Sequence, residues 1–212
     1  MKGIRFGNYH SYDDFSLILS HKEIGSPPPK EEKIEIPGGD GDLDLTEFFG
    51  EVKYNNRQLM FEFSTIIPKD EFLTLFTMVQ NALHGQRMQI VLDEDADWYY
   101  TGRISVSPWK AEKNIGKLTI DCDCDPYKLK NTVTKVSQNV TSSATIKLTN
   151  SRKRVVPTIT TNAQMTIAFG SYRGTFNAGT FVIPELELHE GENTVTVTGT
   201  GNIAFSYREG AL

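Results

Sequence analysis

The sequence predicts a mainly β protein in two parts: an N-terminal strand-rich part carrying one α-helix, then a C-terminal β-sandwich without a helix. Three observations carry this. Apolar residues recur with period two along most of the chain, as half-buried strands require. One segment, near residues 69–84, switches to helical spacing. The texture then changes near residue 130, beyond which Thr, Ser, Asn and Val dominate and charges thin out, apart from the run Arg152-Lys153-Arg154.

The first extended segment is FGNYHSYDDFSLIL (residues 6–19), with a polar interruption. Ser26-Pro27-Pro28-Pro29-Lys30-Glu31-Glu32-Lys33 follows, stiff and charged, because consecutive prolines favour polyproline II and cannot donate to a sheet. It reads as an exposed linker between two early strands. Next, Ile34 and Ile36 flank Glu35, Pro37-Gly38-Gly39 breaks the chain, and DGDLDL resumes an alternation. Leu43 and Leu45 are expected to anchor one side of that turn while the acids face water. A strand closes the stretch, its Leu59, Phe61 and Phe63 on one face.

The helix is predicted over Lys69–His84. Phe72, Leu75, Phe76, Val79, Ala82 and Leu83 form its apolar stripe, which should lie against a sheet. Pro68 precedes it, Asp70 and Glu71 suit its positive end, and Gly85 is a natural stop. Strands at Met88–Leu92, Trp98–Val106 and Lys117–Cys124 then read as an antiparallel meander, with the acidic turn Asp93–Asp97 between the first two. Asp125-Pro126 ends the pattern, and Tyr127–Asn131 reads as the crossing into a second unit. The expected domains are therefore residues 1–130 and 131–212.

In the second half, strands are predicted at residues 143–150, 156–161, 165–170, 179–184, 186–191, 193–199 and 202–208. Turn signals such as Glu190-Gly191-Glu192-Asn193 recur every eight to twelve residues, the spacing of a β-sandwich. Val195 and Val197, then Ile203, Phe205 and Tyr207, are expected to form a closing hairpin around Gly199-Thr200-Gly201-Asn202.

Composition narrows function. At 212 residues, 38% hydrophobic and 23% charged, the chain has ordinary globular composition. No run approaches a bilayer-spanning length, and MKGIRFGNYH lacks the apolar stretch of a secretory signal. A formal charge of −5 argues against a broad nucleic-acid-binding surface. Cys122 and Cys124 share a strand face with Leu118 and Ile120. They read as small core residues, since a disulfide one residue apart would be badly strained.

Candidate chemistry is sparse. Asp40, Asp42, Asp44 and Glu51 invite comparison with a calcium loop, but Leu45 stands where the loop needs glycine. Asp121, Asp123 and Asp125 form an outward acidic row with no partner acid placed across a cleft, as a glycosidase needs. His10, His21, His84 and His189 lie in no nucleophile or zinc-binding context, and no phosphate-loop or dinucleotide fingerprint occurs. The expectation is no catalytic residue, no metal and no cofactor. For sugar stacking the candidates are Trp98, Tyr99, Tyr100 and Trp109, and in the second half Phe169, Tyr172, Phe176, Phe181, Phe205 and Tyr207.

The order of pieces in FGNYHSYDDFSLIL and IEIPGGDGDLDLTEFFGEVKYNNRQLMFEF, and the ending LHEGENTVTVTGTGNIAFSYREGAL, resembles the distal tail protein (Dit) family of long-tailed phages. The match is strongest over residues 3–65 and 184–212. The resemblance implies a non-enzymatic virion protein made in the bacterial host cytoplasm. Its N-terminal domain would be a β-sandwich with one α-helix, and six copies would close into a ring joining the tail tube to the tail-associated tip protein, with a channel for DNA. The C-terminal domain would be a galectin-like sandwich that contacts receptor-binding proteins or host glycans. In such a ring the proline-rich segment becomes a candidate arm reaching a neighbour. Many family members carry sugar-binding insertions for which this chain has no room. The alternatives are a carbohydrate-binding module and, further off, a glycan hydrolase.

Overall fold

The computed structural model describes residues 2–48, 50–112 and 115–212. The chain divides into two compact units, Met1–Pro126 and Tyr127–Leu212. The boundary expected after residue 130 lies four residues beyond this division, at the end of a short strand, Lys128–Lys130, that pairs with Gly210–Ala211.

Unit 1 begins with β1 (Ile4–Phe6), β2 (Tyr9–His10) and β3 (Ile18–Ile24), followed by a two-stranded hairpin, β4 (Lys33–Glu35) and β5 (Asp42–Asp44). Then come β6 (Arg57–Thr65), a 3-10 turn at Lys69–Glu71, α1 (Phe72–Leu83), β7 (Arg87–Leu92), β8 (Trp98–Val106), β9 (Lys110–Glu112) and β10 (Ile115–Cys124). One antiparallel sheet runs β2-β1-β7-β8-β10-β6-β3, and β9 pairs with β10. Strands β1 and β6 stand four places apart in that order, about 19 Å in a flat sheet. Yet the rings of Phe6 and Phe61 lie 5.9 Å apart, edge to face. The sheet therefore curls over so that its two halves face each other across one core. Lys22 on β3 also pairs with Glu94, just past β7, linking the β3 edge to the turn after β7.

The alternation predicted for Leu59, Phe61 and Phe63 holds: all three are buried, as are Leu118, Ile120, Cys122 and Cys124 on β10. Helix α1 buries Phe72, Leu75, Val79 and Leu83 against this core, and Phe72 and Phe76 lean on Trp109, with ring centroids 5.3 and 6.0 Å away. The helix starts after the 3-10 turn and ends before Gly85, whose φ of +74° a residue with a Cβ would resist.

Unit 2 comprises β11 (Lys128–Lys130), β12 (Thr134–Val140), β13 (Ser143–Asn150), β14 (Thr158–Thr161), β15 (Met165–Phe169), β16 (Tyr172–Phe176), β17 (Gly179–Val182), β18 (Gly191–Gly199), β19 (Gly201–Tyr207) and β20 (Gly210–Ala211). Two four-stranded sheets, β12-β19-β14-β17 and β13-β18-β15-β16, enclose a second core that includes Ile146, Leu148, Ile159, Ile167, Val195 and Phe205.

Two expectations are corrected. The strand expected over residues 186–191 does not form: Gly191 already belongs to β18, Leu188 makes only an isolated bridge to Val155, and Leu186 and Leu188 plug the core. Residues 193–208 are no hairpin, because β18 and β19 belong to opposite sheets and the chain crosses between them at Gly199–Gly201. Gly201 adopts φ +149°, and a Cβ there would sit 2.5 Å from Asn162 Oδ1. Period two could not distinguish a reversal within a sheet from a crossing between sheets.

Candidate interaction surfaces

The histidines are structural or solvent-facing. His10 is buried; its Nδ1 accepts the Asp13 N–H at 3.2 Å, which leaves Nε2–H to donate to Asp93 Oδ2 at 3.0 Å. Asp93 also accepts the Gly3 N–H at 2.7 Å. Burial pushes the Asp93 carboxyl up, but the Gly3 amide and His10 outweigh it and hold the carboxyl below its ordinary value. These bonds latch β1 and β2 to the turn after β7. His84 Nδ1 accepts the Val106 N–H at 3.0 Å. His21 is exposed on β3, and the His189 N–H donates to Asn193 Oδ1.

The acidic row on β10 is consumed by neighbours. Asp121 accepts from Ser107 Oγ at 2.9 Å, and Asp123 from Asn56 and Gln58 at 3.1 and 2.9 Å. Asp125 pairs with Arg87 at 2.6 Å. Amides and a guanidinium thus offset the repulsion expected of like charges on one face. Asp40, Asp42 and Asp44 lie on the exposed hairpin, where Asp44 Oδ1 accepts the Thr46 N–H. Among the described residues, no three His, Cys, Asp or Glu side chains gather into a metal site. The Cys122 and Cys124 thiols are free and buried; burial, reinforced by Asp123 and Asp125, pushes Cys124 up to about 12.

Most of the aromatic candidates are taken up by packing. Tyr99 and Tyr100 are buried on opposite faces of β8, and Trp98 is half-buried. In unit 2, Phe176 and Phe181 stack on each other at 4.5 Å, which occupies one face of each ring. Phe205 and Tyr207 are in the core.

The hairpin β4–β5 is different. Ile34 stands opposite Leu43 in the register Lys33↔Asp44, Ile34↔Leu43, Glu35↔Asp42. With Ile36 two residues on, an apolar face forms, and Lys33, Glu35, Asp42 and Asp44 occupy the other. Leu43, expected to anchor the turn, is instead 49% exposed, and Ile34 and Ile36 are 50% and 46% exposed. The hairpin bonds within itself: Lys30 N–H to Lys53 O at 2.7 Å, Leu45 N–H to Glu32 O at 2.8 Å, with a bridge between Pro29 and Tyr54 at its base. The segment 26–33 is thus the root and first strand of an amphipathic arm. Its signal was present in the sequence as two alternating runs about a Pro-Gly-Gly break. What burial the arm would find was not.

Strand β3 ends the sheet of unit 1 and is mostly exposed, with a bulge between Leu19 and His21. In unit 2, Glu209 escaped sequence reasoning altogether. It is buried and accepts from Lys130 Nζ at 2.8 Å, Thr134 Oγ1 at 2.7 Å and Ser151 Oγ at 2.8 Å. Burial pushes its carboxyl up, but those three donors outweigh that and hold it below its ordinary value. The clamp ties the first strand of unit 2 to its last. No local pattern announces it, since its donors lie far away in the chain.

These features define a two-unit, mainly β protein with exposed edges and no assembled reaction centre among the described residues. Its fold is that of a phage tail hub protein. The crystal structure of the SPP1 Dit protein (gp 19.1), described as a paradigm of the hub adsorption apparatus in phages infecting Gram-positive bacteria, superposes with a TM-score of 0.72 at 15% identity, covering 98% of this chain and 99% of that one. The mainly β fold expected from the resemblance is therefore present over both units. No protein-family model matches the chain, and no curated protein matches it.

Proposed function

We propose that this chain is a distal tail protein: a structural, non-enzymatic hub of a phage tail tip, located in the virion. Six copies close into a ring that joins the tail tube to the tail-associated tip protein and leaves a channel through which DNA passes without specific binding. Unit 1 forms the ring, and unit 2, a galectin-like sandwich, faces outward toward receptor-binding proteins or host glycans. The carrying observation is the end-to-end likeness to the SPP1 Dit fold. Two local features support the reading. An open edge at β3 can be satisfied by a neighbouring copy in a closed ring. An arm whose apolar face is exposed also suits a chain that completes itself by assembly.

Light scattering and negative-stain electron microscopy of the purified protein test this. The expected result is a six-fold annulus with a central hole and a mass of about 143 kDa, the rule being closed cyclic symmetry. A species with the mass of one chain at every concentration, which also fails to join purified tail tubes, removes the proposal. The carbohydrate-module reading would return if the C-terminal sandwich bound host glycans on an array while the chain formed no ring.

A further inference from the structure

Among the described residues, two Asp, Glu, Lys or Arg side chains are buried: Glu209 in unit 2 and Arg57 in unit 1. Glu209 is met by three donors. Arg57, 4% exposed at the start of β6, has no hydrogen-bond acceptor and no ion-pair partner among the described residues. Its Nε is sealed from solvent without an acceptor; the terminal nitrogens, equally unpaired, keep solvent access. The guanidinium instead sits over the Tyr100 ring, with Cζ 5.3 Å from the centroid. In line with Arg57 across the sheet stand Cys124 on β10 and Gly102 on β8, neither of which has a side-chain oxygen. The nearby acids are engaged elsewhere. Asp123, on the other face of β10, accepts from Asn56 and Gln58, and Asp125 pairs with Arg87.

A buried cation without a counter-charge is costly to the folded chain. The Tyr100 ring offsets part of that cost but supplies no oxygen. The fork of N–H donors on a guanidinium fits the two oxygens of one carboxylate. Asp123 and Asp125, on either side of Cys124, repel a multiply charged anion such as phosphate more than a single carboxylate. Arg57 also lies where the arm joins the sheet. Asn55 N–H donates to Pro28 O at 2.8 Å, Gly25 N–H to Gln58 O at 2.9 Å, and Tyr54 bridges Pro29. That root is continuous with the exposed apolar face already assigned to assembly. We propose that Arg57 is the receptor for a carboxylate carried by a second copy of this chain. The inference rests on the many-copy reading above and adds the chemistry of one contact. The guanidinium is an unmet charge in the single chain and half of an ion pair in the assembled one.

Two substitutions in the full-length chain test it. Arg57→Met removes the charge and keeps a flexible apolar stem over Tyr100. Diluted to single chains, this variant should melt at or above the wild-type temperature, because an unmet charge has been removed. Its self-association, followed by sedimentation, should be weakened at least about tenfold. An Arg57→Met chain that is unfolded, or melts below wild type, shows that the charge is met within its own chain and overturns the proposal. Rings that form with undiminished affinity overturn it too, and leave the ring reading standing. Arg57→Lys locates the acceptor. Unlabelled variant is mixed with isotope-labelled wild type, and a carbodiimide condenses the introduced amine with a carboxylate it touches, the reagent taking up the water lost. Mass spectrometry should find residue 57 joined to an acidic residue of a labelled copy. Residue 57 joined only within its own chain, or to nothing while Lys22 joins Glu94 as the control, overturns the assignment. A wild-type chain that stays monomeric at every concentration overturns the second copy as the source, and the tail-tube binding test then decides the ring reading by itself.

Discussion

The two units solve the same burial problem differently. Unit 2 closes two four-stranded sheets over Ile, Leu and Val, with Phe205 and Tyr207 from one strand, and ties its ends with a carboxylate that has three donors. Unit 1 curls one long sheet over phenylalanines, plugs it with a helix, and then extends an arm whose apolar face is uncovered. Unit 2 exposes Val133, Val182 and Leu212 singly, whereas unit 1 leaves Ile34, Ile36 and Leu43 about half exposed together on its hairpin. The clustered apolar face of the hairpin is therefore where unit 1 can be tested for a role in assembly.

Large-to-small changes in the cores give the strongest contrast. Phe61, fully buried against Phe6, and Phe205, fully buried in the second core, should each cost about 4 kcal/mol when replaced by Ala. Hydrogen exchange on the intact chain should show faster opening of β6 and β10 for Phe61→Ala, and of β14 and β19 for Phe205→Ala. A Phe61→Ala variant with unchanged protection in β10 would mean that the curled sheet is not one cooperative core.

Backbone geometry gives the next effect. Gly201→Ala places a Cβ at φ +149° against Asn162 and Ala163, and should destabilise unit 2 by about 3 kcal/mol. Gly38→Ala, at the tip of the arm with open space around its Cβ position, meets only the strain of φ +77° and should cost about 1 kcal/mol, confined to the arm. Denaturant titration of the first and hydrogen exchange of the second separate a glycine that joins two sheets from one that only turns a hairpin.

Much of this was legible before any coordinates. Leu59, Phe61 and Phe63, the helical stripe from Phe72 to Leu83, and the meander through β7, β8 and β10 follow from side-chain period, which local geometry enforces. The acidic row on β10 was also correctly placed outward. What failed was non-local. The crossing at Gly199–Gly201 looks like a hairpin turn in sequence, and residues 186–191 look like a strand because Leu186 and Leu188 alternate into the core without a ladder partner. Leu43 shows the limit best. Alternation gives the face on which a side chain lies, but not whether anything covers that face. Glu209 was invisible for a related reason: its donors come from Lys130, Thr134 and Ser151, and their meeting depends on strand pairing across the whole unit.

The Glu209 clamp gives a smaller, pH-dependent effect. Glu209→Gln should cost unit 2 about 2 kcal/mol at neutral pH, the range for hydrogen bonds to a charged group. The folded carboxyl lies below its ordinary value of 4.5, so its contribution is complete above pH 4.5 and is lost as pH falls through the folded value. The wild type should therefore lose its advantage over the variant on acidification. A constant gap between the two down to pH 3 would show that packing, rather than charge, holds that end together.

The arm should respond least in stability and most in assembly. Ile34 and Leu43 are each about half exposed, so replacing both with Ser removes little burial from the isolated chain, and its unfolding free energy should change by no more than about 0.5 kcal/mol. Self-association should fall, because the apolar face that a second copy would cover is gone. The thiols provide an internal control: Cys122 and Cys124 are buried and held protonated, so neither variant nor wild type should react with a thiol reagent at pH 8 while folded. Intact thiol protection with lost association would place the defect between copies. If the double replacement instead lowered unfolding stability by about 2 kcal/mol or more, the loss typical of removing buried side chains, the arm would be packing on its own chain. The contrast between a closed unit 2 and an open unit 1 would then no longer hold.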